Sequence, residues 1–75
     1  MDLEHLVRMA NQIEANYRAE PDRILAIDSI GSHIKRFWDP RMRKQIVALC
    51  ESGGEGLGDT VKQAIHKYLI APPTN

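Results

Sequence analysis

The chain has almost none of the residues that stabilise a small domain covalently. It contains a single cysteine, Cys50, among 75 residues, so it cannot form an internal disulfide. No apolar run approaches the roughly 18–20 residues that a membrane-spanning helix needs. Asp2 and Glu4 stand where a signal peptide would carry positive charge. A lone thiol fits a reducing compartment. We therefore expect a cytoplasmic protein with no membrane partner.

The chain also lacks a net charge. Ten basic residues balance ten acidic residues, whereas a dedicated nucleic-acid binder is usually basic overall. The distribution is nevertheless uneven. Residues 1–30 hold six acids and three bases, and residues 31–50 hold five bases against Asp39 alone. The five bases lie between Lys35 and Lys44, and we call residues 35–44 the basic segment.

Four stretches have the apolar spacing of amphipathic helices, and none has the alternation of a strand. They cover about residues 3–17, 22–37, 40–52 and 59–69. Asp39-Pro40 is the clearest boundary, because Asp is a strong N-cap and Pro is favoured at the first helical position. Gly53-Gly54 ends the third helix, and Pro72-Pro73 is expected to end the fourth. We predict an all-α fold, a small bundle of three to four helices in one domain over residues 1–75.

The apolar stripes of these helices predict the core. Gly31 lies on the apolar side of the second helix, where the absence of a side chain would allow another helix to approach closely. The predicted core residues are Leu6, Ile13, Ile27, Ile30, Ile34, Phe37, Ile46, Leu49, Ile65 and Tyr68.

No combination of residues predicts catalysis or metal binding. His5 and His66 fall on polar helix sides, and no histidine has a second ligand at a recognisable metal-site spacing. For His33, beside the basic segment, both solvation and a contact role remain open. Cys50 faces the apolar side of its helix and is expected to be structural. The glycine-rich residues 53–58 lack the lysine and hydroxyl of a phosphate-binding loop and are expected to connect two helices.

The basic segment is the feature that most needs an explanation. Lys35 and Arg36 suit the negative end of the second helix, whereas Arg41, Arg43 and Lys44 oppose the macrodipole at the start of the third. These cations either pair with acids elsewhere in the chain or contact a partner, and the sequence leaves both open. Aromatic residues beside arginines are enriched in interface hot spots. The predicted partner-binding residues are Lys35, Arg36, Phe37, Trp38, Arg41, Met42 and Arg43.

The segment containing these residues resembles a known family. The run HIKRFWDPRMR at residues 33–43, followed by GGEGL at 53–57, is similar to the delta subunit of NAD-dependent formate dehydrogenase. The run LVRMANQI at residues 6–13 fits the same pattern. The resemblance extends from about Leu3 to Tyr68, which is nearly the whole chain.

The resemblance implies a place in a cytoplasmic, multi-subunit enzyme that oxidises formate to carbon dioxide and reduces NAD. In that family, the large subunit carries a molybdenum or tungsten pterin and iron–sulfur clusters, and other subunits carry FMN, the NAD site and further clusters. The delta subunit carries no cofactor and has the character of a stabilising or accessory component. The resemblance therefore implies that this chain binds other formate dehydrogenase subunits, and it leaves open whether the isolated chain self-associates.

Two other functions compete with this interpretation. The first is a small regulator that binds nucleic acid through the basic segment. Neutral net charge and the lack of a glycine turn between the second and third helices count against it. The second is an acid–base enzyme, for which the sequence offers only scattered carboxylates.

Overall fold

Four helices make up most of the protein. The computed structural model describes residues 2–70, and within them the chain forms α1 (Leu3–Asn16), α2 (Arg23–Phe37), α3 (Pro40–Glu51) and α4 (Asp59–Ile65). A π-helical turn, His66–Ile70, continues α4. No strand occurs in the described part of the chain. The predicted all-α bundle is confirmed.

The ends of the first three helices lie within one residue of the predicted positions. The fourth helix departs most, because its α-helical hydrogen bonding stops at Ile65 and the wider π turn follows. A π turn is rare and occurs mostly as a single turn joined to an α-helix. The predicted stop at Pro72-Pro73 lies outside the described residues.

Aspartate caps explain where α2 and α3 begin. The Asp22 carboxylate accepts a hydrogen bond from Leu25 N at 3.2 Å, and the Asp39 carboxylate accepts one from Met42 N at 2.9 Å. Each bond satisfies one of the backbone donors that the first turn of a helix leaves without a partner. Pro40 then occupies the first turn of α3, where its missing N–H costs nothing.

The start of α4 is stabilised by α1 instead. Gly58 stands at the N-cap and has no side chain to serve as a cap. The Glu14 carboxylate of α1 takes that role and accepts a hydrogen bond from Val61 N at 2.7 Å. The Asn11 side chain accepts a bond from Gly58 N at 2.9 Å and donates one to Gly56 O at 2.8 Å. Two polar side chains of α1 thus fix the glycine-rich connection to α4.

The core contains most of the predicted aliphatic residues. Leu6, Ile30, Ile34, Ile46 and Ile65 are fully buried, and Ile13 and Ile27 are nearly so. Further buried residues, not predicted, are small or lie near the ends of helices. They are Ala10, Ala26, Trp38, Leu57, Val61 and Ala64.

Two core predictions need correction, and a third is confirmed in part. Leu49 is half-buried and packs against the core cluster. Tyr68 is only half-buried, and Phe37 is 68% exposed. Phe37 is the last residue of α2, and the chain then leaves the helix in an extended conformation at Trp38 (φ −85°, ψ 140°). The Trp38 indole is buried in the core, with 4% of its surface exposed. Of the two neighbouring aromatic residues, Trp38 is therefore the one that is buried in the core, whereas the sequence predicted Phe37.

Close packing of α2 against the π turn depends on Gly31. A Cβ atom at this position would collide with the ring of Tyr68, so the predicted close approach at Gly31 is confirmed. Lys67 Nζ donates a hydrogen bond to Asp28 Oδ1 at 2.8 Å beside this contact. That bond lowers the pKa of the Asp28 carboxyl, with a further contribution from the Tyr68 hydroxyl. The same bond raises the pKa of Lys67.

Two isoleucines of α2 give a direct test of the core. Ile30 is fully buried and Ile24 is 67% exposed. Ile30→Ala should lower the free energy of unfolding by about 2–5 kcal/mol, because it leaves a cavity among packed side chains. Ile24→Ala should change it by less than about 0.5 kcal/mol. Urea denaturation measures both, and an Ile30→Ala protein as stable as Ile24→Ala would show that this face of α2 is wrongly assigned.

Candidate partner-binding surface

A tight corner between α2 and α3 positions the predicted partner-binding residues. Only Trp38 and Asp39 separate the two helices. The buried Trp38 indole anchors the corner to the core, and the capping Asp39 starts α3 at once. Because burial holds Trp38 and capping holds Asp39, the end of α2 and the start of α3 have fixed positions relative to each other.

Arg43 of α3 also stabilises this corner, through hydrogen bonds to the end of α2. Its Nη1 atom donates hydrogen bonds to Lys35 O at 2.9 Å and to Trp38 O at 2.7 Å. These carbonyls lie at the C-terminal end of α2, where the last helical carbonyls lack partners within the helix. The Arg43 cation therefore stabilises the negative end of α2, which accounts for a basic residue near the start of α3.

Among the residues that the structure describes, the other cations of the basic segment have no acidic partner. Within residues 2–70 the ion pairs are Arg8 with Glu4 and Lys67 with Asp28, and neither involves residues 35–44. Lys35, Arg36, Arg41 and Lys44 are all exposed. The alternative in which these cations pair with acids of the chain is therefore wrong for the described residues. The internal role of Arg43 instead uses backbone carbonyls.

Phe37 is the most exposed of the large apolar side chains in the described part of the chain, at 68%. The Arg36 guanidinium carbon lies 5.7 Å from the centroid of its ring. The His33 ring lies 4.9 Å from it, centroid to centroid, with the two planes tilted by 40°. An aromatic ring with a guanidinium and an imidazole beside it has the composition of an interface hot spot.

The structure divides the predicted set into two groups. Trp38 is buried, and Met42 and Arg43 are half-buried beneath the surface. The remaining predicted residues, Lys35, Arg36, Phe37 and Arg41, are exposed. Two further exposed residues that the sequence prediction omitted lie beside them. His33 contacts Phe37 from one turn earlier on α2, and Lys44 lines an open cavity with Arg41. Helical spacing could have identified both. We call the exposed group the corner surface, made of His33, Lys35, Arg36, Phe37, Arg41 and Lys44.

Other residues with reactive side chains lie apart. Cys50 is half-buried, with its Sγ 3.9 Å from Lys62 O. Desolvation raises the pKa of its thiol, which disfavours the thiolate that reactive cysteines need. Among the residues that the structure describes, no three or more His, Cys, Asp and Glu side chains come together in a way that could hold a metal ion. Nor is any helix of residues 2–70 long and apolar enough to cross a membrane.

These features define a small all-α protein with an exposed basic and aromatic corner. The family model for the NADH-dependent formate dehydrogenase delta subunit, FdsD, matches residues 5–65 and so includes the corner surface and the glycine-rich connection. The chain belongs to this family, and the resemblance predicted from the sequence is confirmed. Comparison with curated proteins and with solved structures gave no significant match.

Replacing each of the two arginines of α3 by glutamine should change the free energy of unfolding by different amounts. Arg43→Gln removes both hydrogen bonds to the end of α2 and should lower the free energy of unfolding by about 1–3 kcal/mol. Arg41→Gln removes an exposed charge and should change it by less than about 0.5 kcal/mol. Thermal melting compares them with the unaltered chain. Equal melting temperatures for the two variants would contradict the role assigned to Arg43.

Proposed function

We propose that the chain is a non-catalytic accessory subunit that stabilises a cytoplasmic NADH-dependent formate dehydrogenase complex by binding its other subunits. Membership of the delta-subunit family supports the choice of complex. The molybdenum or tungsten pterin, the iron–sulfur clusters, FMN and NAD would then belong to those other subunits. This chain contributes binding energy to the assembly and no reacting group.

The observation that carries the proposal is the exposure of Phe37. An exposed phenylalanine ring gains roughly 1.5–3 kcal/mol when a partner covers it. The corner surface carries four exposed cations, and the acid Asp39 lines a cavity with two of them, Arg41 and Lys44. A matching partner surface would present an apolar pocket for the ring and carboxylates for the cations. Such complementary charge favours the correct orientation and speeds association.

Arg43 supports this function without contacting the partner. It is half-buried and already bonded to two carbonyl oxygens. By joining the end of α2 to the start of α3, it fixes Phe37 relative to Arg41 before any partner arrives. A surface formed in advance loses less conformational entropy on binding than a flexible one.

Nucleic-acid binding through the basic segment is the second candidate, and the same exposed cations are the observation that favours it. Lys35, Arg36, Arg41 and Lys44 could each contact a phosphate. The two-residue connection at Trp38 and Asp39 contains no glycine, unlike the three- to four-residue turn common in helix-turn-helix proteins. Neutral net charge further favours a protein partner.

The test compares two exposed apolar residues of α2. Phe37→Ala should leave the melting temperature nearly unchanged, because the ring is largely exposed. It should reduce the amount of chain that co-purifies with the formate dehydrogenase subunits by about fivefold or more, as expected for a hot-spot residue. Ile24→Ala, at 67% exposure, is the matched control and should co-purify normally.

The combined variant Arg36→Gln with Arg41→Gln tests the cations of the same surface. This double variant should also co-purify less than the unaltered chain. The difference between the two should be smaller at high salt, because salt screens the charges and weakens binding of the unaltered chain. Normal co-purification of Phe37→Ala and of this double variant would contradict the proposal. Duplex DNA or RNA binding by the unaltered chain, abolished in the double variant, would favour the second candidate instead.

A further inference from the structure

A groove between α1 and α3 lies apart from the corner surface. It consists of two adjoining open cavities, each of about 330 Å³, which share Leu3 and Leu49. Val7 lines one cavity and Ala48 lines the other. Leu3 is 39% exposed, although it is a large aliphatic residue in the first turn of α1. We call this feature the α1–α3 groove.

The rim of the α1–α3 groove is acidic. Glu4 and Glu55 line it, and none of the residues lining either cavity is basic. Glu4 has only a long surface contact with Arg8, at 4.0 Å, which neutralises little of its charge. Glu55 lies on the connection that Asn11 holds through its 2.8 Å bond to Gly56 O. The backbone that carries Glu55 is therefore held in place before any ligand binds.

Gln45 adds a side-chain amide to the lining of the α1–α3 groove, to which an occupant could bond. Its side chain lines one of the two cavities. Its Oε1 atom is buried and accepts no hydrogen bond from the residues that the structure describes. A buried acceptor without a donor is destabilising. Rotation of the Gln45 amide toward an occupant of the groove that carries a donor would relieve this cost.

The α1–α3 groove follows the C-terminal half of α3, from Gln45 to Leu49, and the corner surface lies at the N-terminal end of the same helix. Arg41 is in the first turn of that helix, whereas Leu49 is in its last turn. At about 1.5 Å per residue, these positions are roughly 12 Å apart along the helix axis. One short helix thus separates a basic surface with an exposed aromatic ring from an apolar groove with an acidic rim.

We infer that the α1–α3 groove is a second docking surface, which receives an apolar segment with basic flanks from another subunit of the complex. Charge complementarity selects this occupant, because Glu4 and Glu55 attract Lys and Arg, and Leu3 and Leu49 provide apolar contact. Together with the corner surface, the groove makes the chain a bridge between two surfaces of opposite charge. The identity of the partner as a dehydrogenase subunit rests on the proposed function.

The groove is tested by Leu3→Gln combined with Glu55→Lys, in the complete complex. Both side chains are exposed at least in part, so the chain should still fold and melt normally. Retention of the chain in the purified complex should fall about fivefold to tenfold. Leu25→Gln, at 49% exposure in the first turn of α2, is the matched control and should be retained normally. Equal retention of the groove variant and the unaltered chain would overturn the inference.

A photoreactive side chain in place of Ser52, which lines the groove and is exposed, identifies the occupant. The inference requires a cross-link to an apolar peptide of another subunit with excess Lys and Arg. A cross-link to a second copy of this chain, to this chain's own C-terminal residues or to an acidic peptide would overturn it. So would the absence of any cross-link in a complex that retains the chain. Failure of the unaltered chain to enter the complex would instead defeat the proposed function.

Discussion

The contact between Arg43 and the end of α2 is the interaction on which the candidate partner-binding surface depends. Its two hydrogen bonds, to Lys35 O and Trp38 O, join the helices across a connection of two residues. With the corner closed in this way, the Trp38 indole is buried in the core and Phe37 remains outside. A basic residue that looked unfavourable near the positive end of α3 is thus explained by the negative end of α2.

Capping residues and apolar periodicity predicted the helices from the sequence. Features that depend on contacts between residues far apart in the sequence could not be predicted in this way. Asp39 before Pro40 located the start of α3, because capping depends on neighbours in sequence. Ile30 was predicted to be buried from periodicity alone. The same periodicity placed Phe37 in the core, since it cannot show where the next helix turns away. The bonds from Asn11 to a connection 45 and 47 residues later leave no local signal.

The zero net charge of the chain does not show that its exposed bases and acids lie in different places. The bases of the corner surface lie at one end of α3, and the acids Glu4 and Glu55 lie beside the groove at the other end. Because the ten basic and ten acidic residues of the whole chain cancel, composition alone argues only against a strongly charged ligand. The proposed bridging role uses both groups, and it would also bury exposed apolar surface, which adds stability to a 75-residue chain with a thin core and one cysteine.

The solvent accessibility of Phe37, measured with and without the other subunits, shows most directly whether a partner covers the corner surface. Phe37 is the only phenylalanine of the chain, so its oxidation by hydroxyl radicals can be followed without ambiguity by mass spectrometry. In the isolated chain, its ring should react readily, as expected at 68% exposure. In the purified formate dehydrogenase complex, a partner that covers the corner surface should protect this ring strongly from oxidation. Equal oxidation of Phe37 in the isolated chain and in a complex that contains it would show that no partner covers the ring.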